Sequence, residues 1–214
     1  VVASLFEKSE LPYLLILLDK EEAAYYLNDL EQLIGEEDVL FYPGSYRRPY
    51  QIEETDNASV LLRAEVLNRI NSRKKPAVIV TYPEALFEKV VTRKELDKNT
   101  LKVAVGDQIS IDFINEVLFE YEFKRVDFIT EPGEFSVRGG ILDVFSFSNE
   151  NPFRIEFFGN EVDSIRTFDV ETQLSIEKQK KITIIPNVEN KFFQENRESF
   201  LNYINEKTVL FIQN

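Results

Sequence analysis

Short apolar runs alternate with longer amphipathic segments over residues 1 to about 100, and this alternation constrains the fold more than any other feature of the sequence. Residues 13–18 form an apolar run that is typical of a buried strand. Residues 20–34 then carry apolar side chains at helical spacing, and Gly35 follows as a helix-ending residue. Strands that alternate with helices usually pair in parallel. We therefore predict an α/β fold with a parallel sheet flanked by helices.

The remaining apolar patterns divide the chain into three parts. The first part continues with strands at 39–42 and 77–81 and helices at 59–71 and from Glu84, while residues 1–8 look like the end of a helix. From Leu101 a helix at 112–121 precedes a strand-rich stretch. A helix at 191–205 and a strand at 208–212 then resume the strand–helix alternation of the first part. We predict an α/β domain over 1–100, an inserted α+β domain over 101–187 and a return segment over 188–214.

The composition excludes several functional classes for this chain. The sequence has 38 acidic and 25 basic residues, a net charge of −13, so its surface as a whole repels a phosphate backbone. It has no cysteine and no histidine, which removes thiolate chemistry and the commonest general base and metal ligand. It also has no GxxxxGK[ST] phosphate loop. We expect no catalytic residue, cofactor or metal site and no strong nucleic-acid binding.

Membrane insertion is not expected from the hydropathy pattern. The longest apolar run covers residues 11–18 and is far shorter than the ~20 residues that span a bilayer. The first residues also lack the basic region of a signal peptide. The chain contains no methionine, so we expect a fragment of a longer protein. A cytoplasmic location is the expectation.

The stretch from 131 to 158, EPGEFSVRGGILDVFSFSNENPFRIEFF, reads as strand, loop and strand with polar residues on one face. Alternation predicts that this exposed face carries two arginines, a carboxylate and a phenyl ring, namely Arg138, Arg154, Glu156 and Phe158. Such residues suit a protein partner. On the residues alone, such a set more often forms a cross-strand ion pair with little effect on stability. Gly139 and Gly140 are expected to bend or bulge a strand that enters the core.

The segment 41–50, FYPGSYRRPY, follows a predicted strand at the edge of the sheet where such folds bind ligands. Its two arginines between tyrosines resemble a surface for single-stranded nucleic acid. Contact with another part of the protein and a plain ordered loop are alternatives. The acidic residues Glu53, Glu54 and Asp56 come directly afterwards and weaken the nucleic-acid interpretation.

Several segments together resemble a known family. They are GEFSVRGGILDVF, FRIEFFGNEVDSIRTFD and the IIP that ends at Pro186, preceded by the Lys124 to Asp127 run KRVD. The chain is similar to the UvrB-homology module of bacterial transcription-repair coupling factors. The resemblance implies a fold like UvrB domain 1, a degenerate P-loop NTPase type, with an inserted domain like UvrB domain 2.

The resemblance also implies a function and a set of site residues. The module would recruit UvrA in transcription-coupled nucleotide excision repair without catalysis of its own. The parent protein would be an ATP-dependent DNA translocase that meets RNA polymerase through other domains. A fragment of an ATP-dependent UvrB or helicase-type enzyme is the alternative. The residues that match UvrA-binding positions are Arg138, Arg154 and Glu156, the adjacent Phe158, and Lys124 or Arg125. Ser136 departs from the pattern, because UvrB tends to have arginine there.

Overall fold

The computed structural model describes residues 1–9, 11–45, 57–71, 75–189 and 197–213. The chain divides into two compact units. The first unit comprises Val1–Glu95 and Val188–Asn214, and the second comprises Leu96–Asn187. Each unit has its own sheet, and each is described by itself.

The elements follow one another along the chain in three groups. The first group is α1 (Val2–Phe6), β1 (Tyr13–Ile16), α2 (Lys20–Ile34), a 3-10 turn (Glu36–Asp38), β2 (Val39–Phe41), α3 (Asn57–Asn71), β3 (Val78–Thr81), α4 (Pro83–Phe87), β4 (Val90–Val91) and α5 (Arg93–Lys98). The second is β5 (Leu101–Ala104), α6 (Ile111–Glu120), β6 (Lys124–Arg125), β7 (Glu134–Arg138), β8 (Ile141–Val144), β9 (Phe153–Phe158), β10 (Glu161–Phe168), β11 (Ser175–Gln179) and β12 (Lys181–Ile184). The third is β13 (Arg197–Glu198), α7 (Phe200–Tyr203) and β14 (Val209–Ile212).

The first unit contains a four-stranded parallel sheet in the order β14, β1, β3, β2. The predicted parallel sheet is therefore confirmed. Tyr13 on β1 lies opposite Val209 on β14 and Val78 on β3, so the last strand of the chain pairs with the first. The central strand β3 is buried along its whole length, as expected for a strand with neighbours on both sides.

Helix α2 begins and ends where its local signals predict. The Asp19 side chain accepts a hydrogen bond from the Glu22 amide at 2.8 Å and caps the first turn. Gly35 ends the helix with φ at +90°, a conformation that is strained for residues with a side chain. The predicted helix, residues 20–34, has the observed limits. Strand β1 is shorter than predicted, since it ends at Ile16.

The return segment differs from its prediction. A single helix was expected over 191–205, and residues 191–196 lie outside the described part of the chain. Within the remainder, Arg197–Glu198 pair in antiparallel fashion with Val90–Val91, and only Phe200–Tyr203 are helical. Ser199 separates the two elements, because its hydroxyl accepts a hydrogen bond from the Leu201 amide and starts a new helix.

The second unit contains a six-stranded sheet in the order β11, β10, β9, β8, β7, β6. The strands β6 and β7 are parallel, and all other neighbours are antiparallel. One face of this sheet is apolar and fully buried, with Phe135, Leu142, Ile155 and Ile165 on it. Helix α6 covers part of that face, where Phe119 contacts the Phe135 ring edge to face at 5.2 Å. The opposite face carries polar side chains and is partly exposed, although Ser136 and Asp143 on it are buried.

Gly139 and Gly140 form the turn between β7 and β8 rather than a bulge in a strand. Arg138 and Ile141 are directly paired across this turn, so it is a two-residue hairpin loop. Gly139 has φ at +60°, which a two-residue turn of this kind requires. The predicted bend is real, but it lies at the end of the sheet, outside the core.

Candidate partner-docking surface

The polar face of the six-stranded sheet brings together the sequence-predicted residues of β7 and β9. Side chains two positions apart on a strand share a face, so neighbouring strands build rows across the sheet. Paired residues form two such rows, Ser136–Asp143–Arg154–Arg166 and Arg138–Ile141–Glu156–Ser164. Alternation therefore assigned Arg138, Arg154 and Glu156 to the correct face.

A single carboxylate lies at the centre of this face. The Asp143 side chain is only 2% exposed. The Nε and Nη2 atoms of Arg154 donate to its two oxygens at 2.7 and 2.8 Å, and Nη2 of Arg138 donates to Oδ2 at 2.7 Å. Two guanidinium groups share one carboxylate, so the cluster carries a net charge of +1.

Arg154 is the internal member of this cluster. Its side chain is 14% exposed, its guanidinium carbon lies 4.2 Å from the centre of the buried Phe168 ring, and Nη2 also donates to Oε1 of Gln173 at 3.1 Å. The hydrogen bonds to Asp143 raise the pKa of the Arg154 guanidinium above its usual value. The prediction of an exposed face is wrong for Arg154, because Phe168, Gln173 and Asp143 surround it.

Arg138 is the exposed member. Its side chain is 43% exposed. A guanidinium has five N–H donors, and Arg138 uses Nη2 on Asp143. Its guanidinium carbon lies 5.1 Å from the centre of the Phe128 ring. With one N–H group on Asp143, the guanidinium has further donors that can bind a carboxylate of another molecule.

Glu156 is engaged within the sheet. Its carboxylate accepts hydrogen bonds from the Ser164 hydroxyl at 2.7 Å and from Nη2 of Arg166 at 2.6 Å. These two bonds, the one from Ser164 first, lower the pKa of the Glu156 carboxyl. The cross-strand ion pair considered from the sequence thus exists, but Arg166 is the partner of Glu156 and Asp143 is the partner of Arg154.

Two further predicted residues lie at the exposed end of the sheet. Phe158 ends β9 and is 84% exposed, next to the hairpin that leads to Glu161. Arg125 ends the edge strand β6 and is also exposed, although its pairing with Phe135 places it on the other side of the sheet from Arg138. Phe128 follows β6 and is 65% exposed, an unusual position for a phenyl ring. The exposed part of the surface, which we call the arginine–phenylalanine edge, consists of Arg125, Phe128, Arg138 and Phe158.

The family comparison covers this whole surface. A family model described as the UvrB interaction domain matches residues 101–190. Residues 101–190 belong to the UvrB interaction domain family. The resemblance inferred from the sequence is confirmed by this match, and the arginine–phenylalanine edge lies inside the matched region.

Curated relatives extend the similarity to most of the chain. The chain is 34% identical over 185 residues to the transcription-repair-coupling factor of Bacillus subtilis strain 168, covering 86% of the chain and 16% of that protein. It is 30% identical over 153 residues to the Haemophilus influenzae Rd protein of the same name, and this match covers 72% of the chain and 13% of the relative. It is 27% identical over 186 residues to the Escherichia coli K12 protein of that name, and this match covers 87% of the chain and 16% of the relative. The chain therefore spans less than a fifth of the length of these relatives.

Sequence reasoning missed three residues that organise the UvrB interaction domain. Asp143 binds both Arg138 and Arg154, Arg166 pairs with Glu156, and Phe128 lies beneath Arg138. One signal was present for Asp143, since it is the only charged residue in the run ILDVF and alternates with buried Leu142 and Val144. Phe128 had no such signal, because its contact with Arg138 joins residues ten positions apart in sequence.

The segment 41–50 is described only as far as Ser45, so the two arginines of the nucleic-acid interpretation lie outside the described residues. Residues 41–45 make contacts with other residues of the first unit. The Gly44 amide donates to the Tyr82 hydroxyl at 2.8 Å, and the Ser45 amide donates to the Glu88 carboxylate at 2.9 Å. Tyr42 stacks on Phe200 with 4.0 Å between ring centres. These contacts favour the intramolecular alternative for residues 41–45.

Among the described residues, no three acidic side chains are grouped closely enough to hold a metal ion. No helix in the described ranges combines the length and hydropathy required to cross a membrane.

Proposed function

We propose that this chain is a non-catalytic module that recruits UvrA within a transcription-repair-coupling factor. The match of residues 101–190 to the UvrB interaction domain supports a docking role. The names of the relatives support a role in transcription-coupled nucleotide excision repair, with the ATP-driven motor and the contact with RNA polymerase in other parts of the parent protein. The docking partner is UvrA, as the resemblance to UvrB domain 2 implies.

The observation that carries this proposal is the state of Arg138. It is a half-exposed arginine in a cluster of net charge +1, on a chain whose overall charge is −13. A local positive charge on an acidic protein selects an acidic region of its partner and repels other orientations. Exposed phenyl rings beside an arginine supply apolar contact area, and these residue types dominate the energy of protein interfaces.

The buried half of the cluster explains how the exposed half is positioned. Asp143 is fixed by the bidentate hydrogen bonds from Arg154, and Arg154 is fixed by the Phe168 ring. Arg138 is therefore bound to an acceptor that does not move, which lowers the entropy lost when a partner binds it. In this account Arg154 positions the surface, and Arg138 and Phe158 contact UvrA.

The test is a titration of purified UvrA with the 214-residue chain by isothermal calorimetry, in wild-type form and as Arg138→Ala. We expect Arg138→Ala to weaken binding by about 2 kcal/mol, as loss of an arginine anchor commonly does. The free energy of unfolding should change by less than ~1 kcal/mol, because the side chain is half-exposed.

Lys178→Ala is the matched control. Lys178 is an exposed cation on the edge strand β11 of the same sheet, remote in strand order from β7. Its removal changes the net charge equally and should leave the affinity unchanged. If Arg138→Ala and Lys178→Ala lose the same UvrA affinity, the loss comes from the overall charge and not from the position of Arg138. A wild-type chain that does not bind UvrA would overturn the proposal.

A further inference from the structure

The arginine–phenylalanine edge contains a groove beside Arg138. It lies between the loop after β6 and the strand β7 and has a volume of about 630 Å³. Its walls are formed by Arg125, Val126, Asp127, Phe128, Ser136, Val137 and Arg138. The loop is held against the strand, because the buried Ser136 hydroxyl donates to the Asp127 carbonyl at 3.0 Å and the Val126 amide donates to the Phe135 carbonyl at 2.9 Å. The groove is therefore built by fixed backbone contacts.

Phe128 is an exposed aromatic residue that lines this groove. Its ring is 65% exposed, although an unpaired phenyl ring in water is unfavourable. The Arg138 guanidinium lies over the ring, with 5.1 Å from its carbon to the ring centre. A guanidinium above a phenyl face is attracted by the negative π density and loses rotational freedom. Phe128 and Asp143 thus restrict Arg138 from two directions.

The charges of the groove indicate what it can bind. Arg125 and Arg138 stand at its walls with one acidic residue, Asp127, so the walls carry a net charge of +1. The exposed Phe128 ring is the apolar surface of the groove, since Val137 shares the buried face of Leu142 and Val126 packs against the cluster of Ile129, Phe145 and Phe168. An acidic side chain with an apolar neighbour complements this combination: the carboxylate can bind the Arg138 fork, and the neighbour can pack on the Phe128 ring.

We propose that this groove is a subsite for an acidic, partly apolar segment of the docking partner, with Phe128 as a specificity-determining residue. The inference rests on the proposed function, since the partner is UvrA there. Phe128 acts in two ways: its ring orients Arg138 toward the incoming carboxylate, and its exposed edge is covered when the partner binds. The ring makes little difference to folding, because it is exposed in the free chain.

The experiment measures the UvrA affinity of three variants of the 214-residue chain. Two replace Phe128, and the third replaces Phe113 as a control. Phe128→Ala removes the ring and should weaken binding by about tenfold, as expected for an aromatic residue at the centre of an interface. Phe128→Tyr keeps the π face and should bind within about twofold of wild type. Phe113→Ala removes a comparably exposed phenyl, 50% exposed on α6, and should bind like wild type.

Two further measurements separate the possible outcomes. Urea unfolding of each variant should give the wild-type midpoint, which distinguishes loss of contact from loss of folding. If the chain binds UvrA and Arg138→Ala weakens it while Phe128→Ala does not, the subsite is wrong and the proposed function stands. If wild type fails to bind UvrA, the proposed function fails and the subsite with it. A tenfold loss in Phe113→Ala as well would also contradict the subsite.

Discussion

Arg138 and Arg154 lie on one sheet face and share Asp143, yet they differ in burial. Arg154 gives two hydrogen bonds to Asp143 and is covered by Phe168, so its charge is already compensated inside the unit. Arg138 gives one hydrogen bond and remains 43% exposed. In the proposed function Arg154 therefore positions the surface, whereas Arg138 contacts the partner.

The sequence could predict the face of each arginine but not its partner. Period-two alternation is local, and it placed Arg138, Arg154 and Glu156 together. The partners depend on strand register, which joins Asp143 to Arg154 and Glu156 to Arg166 across separate hairpins. Register is set by the turns and by the buried face of the whole sheet, so it cannot be read from either strand alone.

Replacement of Asp143 tests whether the buried pair with Arg154 contributes more to stability than the exposed pair on the same face. Asp143→Asn keeps the shape of the side chain but leaves the largely buried Arg154 without a counter-charge. We expect the unfolding free energy to fall by about 3 kcal/mol, as for other broken buried ion pairs. Urea denaturation followed by circular dichroism measures the change.

Glu156→Gln is the control for that variant. It breaks the more exposed pair with Arg166, in which both side chains are about a quarter to a third exposed, and should cost less than ~1 kcal/mol. Equal losses for the two variants would show that burial does not decide the strength of these pairs.

At the scale of elements, the predictions succeeded where the signals are local. Helix α2 has a capping Asp19 and a terminal Gly35, and both limits were correct. The return segment was predicted as one helix over 191–205, because its apolar residues have helical spacing. Strand pairing of Arg197–Glu198 with β4 and the cap at Ser199 override that pattern. A contact between residues more than a hundred positions apart leaves no trace in local periodicity.

The β7–β8 hairpin supplies a prediction at this scale. Gly139 has φ at +60° with open space around it, so Gly139→Ala meets backbone strain rather than a clash. We expect a loss of stability of about 1 kcal/mol. The strain lies beside Arg138 and should also weaken UvrA binding.

Gly106→Ala is a matched control for the hairpin. Gly106 has φ at +89°, also with nothing close to its missing side chain, and lies outside the arginine–phenylalanine edge. We expect a similar loss of stability with unchanged UvrA affinity. A Gly139→Ala chain that is destabilised but binds UvrA at full strength would show that the hairpin does not position Arg138 for binding. Both quantities can be measured on the same samples.

At the scale of the whole molecule, a strongly acidic chain presents a small cationic and aromatic edge. The net charge of −13 disfavours a phosphate backbone, whereas the cluster around Asp143 is positive. The edge lies within residues 101–190, the part that matches the UvrB interaction domain. The parallel sheet of the first unit then serves as a scaffold of the parent protein in this account, with no contact to UvrA required.

Amide hydrogen exchange of the 214-residue chain, free and saturated with UvrA, reports which segments lie in the interface. Exchange slows where an interface excludes water or restricts local opening. We expect slower exchange in the loop after β6, in the β7–β8 hairpin around Gly139 and in the turn after Phe158, with unchanged exchange in α2 and β14. Slower exchange confined to the parallel sheet of the first unit, with the arginine–phenylalanine edge unchanged, would show that UvrA does not dock on this edge.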